Sequence, residues 1–430
     1  MNNVRDGRDA GNESVRPRIG RRDVLKAIVA LPLAASSVRL WAAPRASRPK
    51  LLVVFLRGGY DCASLLVPTS SSFYYESRPN IAIARPADVS VAVGGPVGAV
   101  GPVAAVGTTA LSLDADWGLH PALAGSLHPL WQAGQLAFVP FAGIEDTSRS
   151  HFATQDAIEL GQPLGARRDF QSGFMNRLAS IVARDTSIAF SDQLPVTFRG
   201  TERAATVAIR NVTKSQIDAR QTAAIAAMYR NTQYATPVSD GFAMRDALAR
   251  DMLSEMEASG RNAVTATGFE LEARRIARLM RDRYALGFVD VGGWDTHVGQ
   301  GAATGFLSTR FSALGRGLAA LATEMGPAWN DTTVVVMSEF GRTFRENGNR
   351  GTDHGHGSVY WLLGGGVRGG RVVGEQVKLD ATALFQGRDY PVLNEYRGVL
   401  GGLVARMYGL TNDQVQQVFA GSSPRDMGVI

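Results

Sequence analysis

Five runs of consecutive branched and aliphatic residues constrain this chain most: Leu51–Leu56, Leu136–Phe141, Leu286–Val291, Thr332–Met337 and Val359–Leu363. None alternates apolar with polar. Each therefore reads as a strand covered on both faces, the habit of parallel sheets rather than of half-solvated antiparallel ones. Helical patterns lie between them at His151–Leu160, through much of residues 213–284 and near residues 305–325, with a shorter one at Pro121–Gln132. Strands alternating with helices specify an α/β fold, a largely parallel sheet with helices on both faces. Residues 87–112, rich in Val, Ala and Gly and without helical period, read as a loop-rich insertion, and residues 213–284 as a helical one. At 430 residues and 45% hydrophobic, the chain can bury one large core, expected from residue 51 to 430.

The formal charge of +6 invites an anionic partner, but its distribution argues against nucleic acid. Residues 1–50 hold 11 Lys/Arg against 4 Asp/Glu, leaving 34 against 35 for the rest, with no dense basic patch interleaved with aromatics. The basic segment is a leader. Arg16, Arg18, Arg21, Arg22 and Lys26 precede an apolar stretch, Ala27–Val38, which is the plan of a signal peptide. That stretch is too short for the ~20 residues of a spanning helix, so no stable transmembrane segment is expected in the mature chain. The run Arg21-Arg22-Asp23-Val24-Leu25-Lys26 resembles the twin-arginine (Tat) consensus. Residues 1–43 are thus expected to be a Tat signal and basic leader, with the Tat machinery as export partner and a periplasmic or secreted destination. The single cysteine, Cys62, excludes an internal disulfide. It is followed by Ala-Ser-Leu-Leu, without the Pro and Arg of a formylglycine-forming Cys-x-Pro-x-Arg motif.

Polar clusters follow the strand runs at once. Asp61 follows the first; Thr147, Ser148, Arg149, Ser150 and His151 the second; Asp295, Thr296 and His297 the third; Glu339 and Arg342 the fourth. Asp353, His354 and His356 instead precede the fifth. In an open α/β sheet ligands bind beyond the carboxyl ends of strands, so four of these clusters can meet at one edge. Of only six histidines, four (His151, His297, His354, His356) fall within them. Carboxylates and imidazoles without thiolate suit one or two divalent ions, Zn, Mn, Mg or Ca. A hydroxyl at a helix start can act as nucleophile, and Arg149 or Arg342 could hold the oxygens of a phosphate or sulfate ester.

The motifs Arg57-Gly-Gly-Tyr-Asp61, Ser150-His151-Phe152, Gly293-Trp294-Asp295-Thr296-His297, Ser338-Glu339-Phe340-Gly341-Arg342-Thr343 and Gly351-Thr352-Asp353-His354-Gly355 carry a resemblance over nearly the whole chain. They resemble a Tat-exported bacterial family catalogued as domain of unknown function 1501, which looks related to the alkaline phosphatase and sulfatase superfamily. The resemblance implies an alkaline-phosphatase-like sandwich with metal-dependent hydrolysis or transfer of phosphate or sulfate esters, small or polymeric. By the same likeness Asp61 is the first-strand metal ligand, and Asp295 and His297 ligate from the third cluster. Glu339 stands where the superfamily has Asp, and His354 or His356 is the late ligand, beside Asp353. The nucleophile is one of Thr147, Ser148 and Ser150, with Ser150 favoured by its motif; His151 and Arg149 sit where substrate would bind. The alternative is a non-catalytic exported binding or assembly protein on the same fold.

Overall fold

The computed structural model describes residues 48–86, 107–182, 186–207, 219–243 and 268–430. The leader over residues 1–43, residues 87–106 of the loop-rich insertion and much of residues 213–284 lie outside the described residues. In chain order the strands are β1 (Lys50–Arg57), β2 (Leu66–Pro68), β3 (Leu111–Ser112), β4 (Trp117–Leu119), β5 (Leu136–Gly143), β6 (Ser187–Phe190), β7 (Ala204–Thr206), β8 (Leu286–Gly292), β9 (Thr332–Ser338), β10 (Ser358–Leu363), β11 (Arg371–Val372) and β12 (Asn394–Glu395). All five apolar runs are strands of one sheet, ordered β11-β5-β10-β9-β1-β8-β6-β7, with β12 also on β5. β2, β4 and β3 form a small antiparallel sheet of their own.

β1 sits in mid-sheet, parallel to β8 and β9. Its side chains alternate between two apolar layers. Leu52, Val54 and Leu56 face helices Phe269–Asp282 and Phe306–Met325, while Leu51, Val53 and Phe55 share the other layer with His151–Leu160, Phe174–Val182 and Tyr396–Tyr408. Burial on both faces is why these runs show no alternation.

The large sheet is parallel except at β10, which runs antiparallel to both β9 and β5. This reversal accounts for the cluster that precedes its strand. The register aligns Arg57 with Gly292 and Leu56 with Ser338, so the segments leaving β1, β8 and β9 emerge together. Ser358, the first residue of β10, pairs with Ala142 near the end of β5. The amino end of β10 thus lies with the carboxyl ends of its neighbours, and the segment 353–357 reaches the same edge as the rest.

The expected helix at Pro121–Gln132 is broken into a 3-10 turn, Pro121–Leu123, and a helix, Leu127–Gln132, on either side of Gly125. The helical character of residues 213–284 holds for Ala219–Tyr229, residues 235–243 and Phe269–Asp282. Among the described residues no helix is long and apolar enough to cross a membrane.

Candidate metal centre

Three imidazoles and one carboxylate meet at the sheet edge. His151 opens the helix after β5, Asp295 and His297 lie in the loop after β8, and His354 lies in the segment before β10. The Nε2 atom of His354 stands 2.9 Å from that of His151 and 3.1 Å from that of His297. Asp295 Oδ1 is 2.9 Å from His297 Nε2 and 3.3 Å from His354 Nε2, and its Oδ2 is 3.6 Å from His151 Nε2. His151, Asp295 and His354 each bring one donor atom within 4.8 Å of the other two, a group that could hold one small ion, and His297 adjoins it through His354 and Asp295.

The opposite ring nitrogens show that the convergence is built. His151 Nδ1 faces Glu339 Oε1 at 2.8 Å, His297 Nδ1 faces Asp353 Oδ1 at 3.0 Å, and His354 Nδ1 faces the Arg149 carbonyl at 3.0 Å. A carboxylate or carbonyl oxygen only accepts, so each Nδ1 carries the proton and donates. A ring left neutral then presents an Nε2 lone pair, and those of His151 and His354 face the same group as Asp295. Lone pairs this close to one another and to a carboxylate repel unless a cation or a shared proton lies between them, and outer partners of this kind are how proteins orient metal-binding histidines.

Glu339 and Asp353, expected as ligands, therefore serve one layer out. Burial pushes the Glu339 carboxyl up, but hydrogen bonds from His151, Gln155 and Ser338 more than offset this and hold it below the ordinary range. The same contact is the largest influence on His151, raising its pKa against the effect of burial. Burial lowers His354, and the neighbouring His151 and Arg342 lower it further. At Asp295 burial raises the carboxyl, but the Arg342 guanidinium, which donates to Oδ1 at 2.6 Å, brings it below the usual value.

The packing gives five other candidates surroundings different from those expected. Asp61 lies in a closed, buried ion pair: Arg78 donates to both its oxygens at 2.6 and 2.9 Å, and Ser64 and Gln300 donate to Oδ2. His356 stacks on Phe385, with ring centroids 4.5 Å apart, and is no member of the cluster. Arg342 is fully buried and spends its guanidinium on Asp295 and on the hydroxyl and carbonyl of Thr352, so it orients a ligand rather than meeting a substrate. Arg149 directs its side chain to Asp389 and Gln386, and serves the site through its carbonyl. His151, expected to touch substrate, joins the converging donors.

The three hydroxyls separate clearly. Ser148 Oγ donates to Asp146 at 3.0 Å, Thr147 is exposed, and Ser150 is the N-cap of helix His151–Leu160 but makes no cap bond with its side chain. The site also uses residues outside the expected clusters. Gln155 donates to Glu339 at 2.8 Å and accepts from Arg57 at 2.9 Å. Its position four after His151, hence on the same helix face, is the signal that could have found it. Gln300 links Asp61 to Thr352 and so to Arg342.

Gly58 lets the first loop pass under the third. Its φ is +121°, and a Cβ there would stand 2.7 Å from the Asp295 backbone nitrogen. Gly58→Ala is expected to cost on the order of 1–3 kcal/mol from the backbone strain alone and to displace Asp295. Denaturant unfolding and metal titration of the same variant measure the two effects; an unchanged midpoint with unchanged binding contradicts the close approach.

Among solved structures the chain is similar to Ps i-CgsB in complex with k-i-k-neocarrahexaose, at 9% identity and TM-score 0.40, covering 89% of this chain and 76% of that one. It is also similar to a protein in the alkaline phosphatase superfamily from Vibrio parahaemolyticus, at 11% identity and TM-score 0.32, covering 84% and 67%. At these TM-scores neither likeness carries an argument about chemistry. The chain matches no curated protein. Its sequence matches one family across residues 48–419, a span that holds every residue of the cluster and every partner named for it, and the chain belongs to that family, described as protein of unknown function (DUF1501).

Proposed function

We propose that this chain is a Tat-exported hydrolase or transferase of phosphate or sulfate esters that depends on a divalent ion held by His151, Asp295 and His354, with His297 beside them. The observation that carries the reading is the convergence of His151, Asp295 and His354, with both imidazoles locked from behind by an acceptor. Two nitrogens and one oxygen, with a third imidazole adjoining, favour zinc, with manganese next, over the oxygen-seeking Mg and Ca. Such an ion supplies Lewis-acid polarisation of an ester oxygen and activation of a nucleophile.

The chain's own groups do the rest. Glu339, Asp353 and the Arg149 carbonyl keep each ring in the ligating tautomer, and Arg342 orients Asp295. Ser150, adjacent to His151 and without a side-chain cap bond, is the best placed of the three hydroxyls to attack. A second reading, a non-catalytic exported binding or assembly protein, is favoured by one feature. Among the described residues no side-chain hydroxyl is hydrogen-bonded to His151, Asp295 or His354.

Zinc-loaded protein assayed on aryl phosphates and aryl sulfates separates the two. Turnover that Ser150→Ala lowers by on the order of 10³-fold or more, with Thr147→Ala and Ser148→Ala near wild type, supports the hydrolase with Ser150 as nucleophile. Stoichiometric zinc without turnover of either ester class leaves the binding protein.

A further inference from the structure

Asp389 is a fully buried carboxylate with a cost that calls for a reason. Arg149 donates to its Oδ2 from Nε at 3.0 Å and from Nη2 at 2.7 Å, and Arg388 Nη1 lies 3.4 Å from the same oxygen. Its Oδ1 is buried with no hydrogen-bond partner among the described residues. An acceptor left unpaired away from water keeps its desolvation penalty, and the penalty is larger when the group is charged.

Both arginines lead to His354. Arg149 is a non-glycine residue at φ +50°, a left-handed backbone that side chains ordinarily avoid. In that conformation its carbonyl accepts from His354 Nδ1 at 3.0 Å. Arg388 Nη2 donates to the His354 carbonyl at 2.9 Å. The other two rings are oriented by side-chain carboxylates, Glu339 and Asp353, whereas His354 relies on a main-chain oxygen. A main-chain oxygen points correctly only while its backbone is held.

We propose that Asp389 is a positioning residue for the metal centre: by gripping Arg149 it holds residue 149 in the left-handed conformation whose carbonyl keeps His354 protonated on Nδ1, freeing Nε2 to ligate. The inference rests on the metal reading above and adds a residue outside the polar clusters of the sequence. Glycine adopts positive φ without help, so Arg149→Gly should make the centre less dependent on Asp389.

The test uses Asp389→Ala and Asp389→Asn, each alone and combined with Arg149→Gly, in the full chain. Zinc affinity is read by chelator competition, the His354 tautomer by ¹⁵N NMR of zinc-free protein, and folding by circular dichroism. Loss of an outer partner typically weakens metal affinity ~10–100-fold. Asp389→Ala is expected near the lower end, with His354 passing to a mixture of tautomers and a smaller loss in the Arg149→Gly background. Folded Asp389→Ala with wild-type zinc affinity and an unmixed tautomer overturns the proposal, as does an equal loss in both backgrounds. If Asp389→Ala does not fold, Asp389→Asn is judged by the same readouts. Wild type that binds no zinc defeats the metal reading, while the zinc-free tautomer still decides the role of Asp389.

Discussion

Asp295→Ala combined with His297→Ala is expected to abolish stoichiometric binding of a divalent ion that the wild-type chain retains through purification. The double variant removes Asp295 from the converging group together with the adjoining His297, and leaves only His151 and His354. It also takes from the buried Arg342 guanidinium its carboxylate partner, so the ion-free variant should be less stable than ion-free wild type, and the ion's effect is read as the change on adding zinc within each protein. Only wild type should then be stabilised by added zinc, by about 2.7 kcal/mol at a hundredfold excess over Kd and about 4.1 kcal/mol at a thousandfold. Elemental analysis and melting with and without chelator read both effects. Equal metal content in the two proteins would mean that the ion sits elsewhere; none in either, with no affinity for Zn, Mn, Mg or Ca, removes the metal-dependent reading.

Asp61→Ala should act on stability instead. It strands the Arg78 guanidinium, fully buried, with only the carbonyls of Phe344 and Thr343 and the Ser64 hydroxyl as acceptors. Breaking a buried pair by removing one partner costs about 3–5 kcal/mol. Burial raises the Asp61 carboxyl, but the charge and hydrogen bonds of Arg78, followed by Ser64 and Gln300, bring it below its ordinary value. A carboxyl whose folded pKa is depressed stabilises fully above its unfolded pKa of ~3.9, and that contribution fades as pH falls through the folded pKa. The gap between wild type and Asp61→Ala should therefore be widest near neutrality and narrow only below about pH 4. Denaturant unfolding at several pH values measures it. A variant that keeps its stability but loses its ion would instead restore Asp61 as a ligand.

These two outcomes rest on a distinction that local sequence does not carry. Asp61 and Asp295 each follow a buried strand by a few residues and look alike in the chain. What separates them is Arg78, which reaches Asp61 from seventeen residues away, and Arg342, which reaches Asp295 from forty-seven. The first arginine closes on both oxygens of its carboxylate, while the second holds one oxygen of a carboxylate that remains partly exposed. The role of a carboxylate here is decided by where its partner comes from.

The strands and the clustering of site residues at one sheet edge follow from local chemistry. Runs such as Leu51–Leu56 have no polar residue to offer water, so they must be covered on both sides, and a covered parallel strand releases its polar sequel at the edge. Strands as short as Ser187–Phe190 and Ala204–Thr206 carry too few residues to show such a pattern. The direction of β10 depends on the pairing of Trp361 with Val336 and Phe138, contacts made across long stretches of chain. Which nitrogen of a histidine faces inward depends on what stands behind the ring. Glu339, Asp353 and the Arg149 carbonyl occupy those places only once the sheet has brought four loops together, because tautomer and ring orientation are set by contacts between segments.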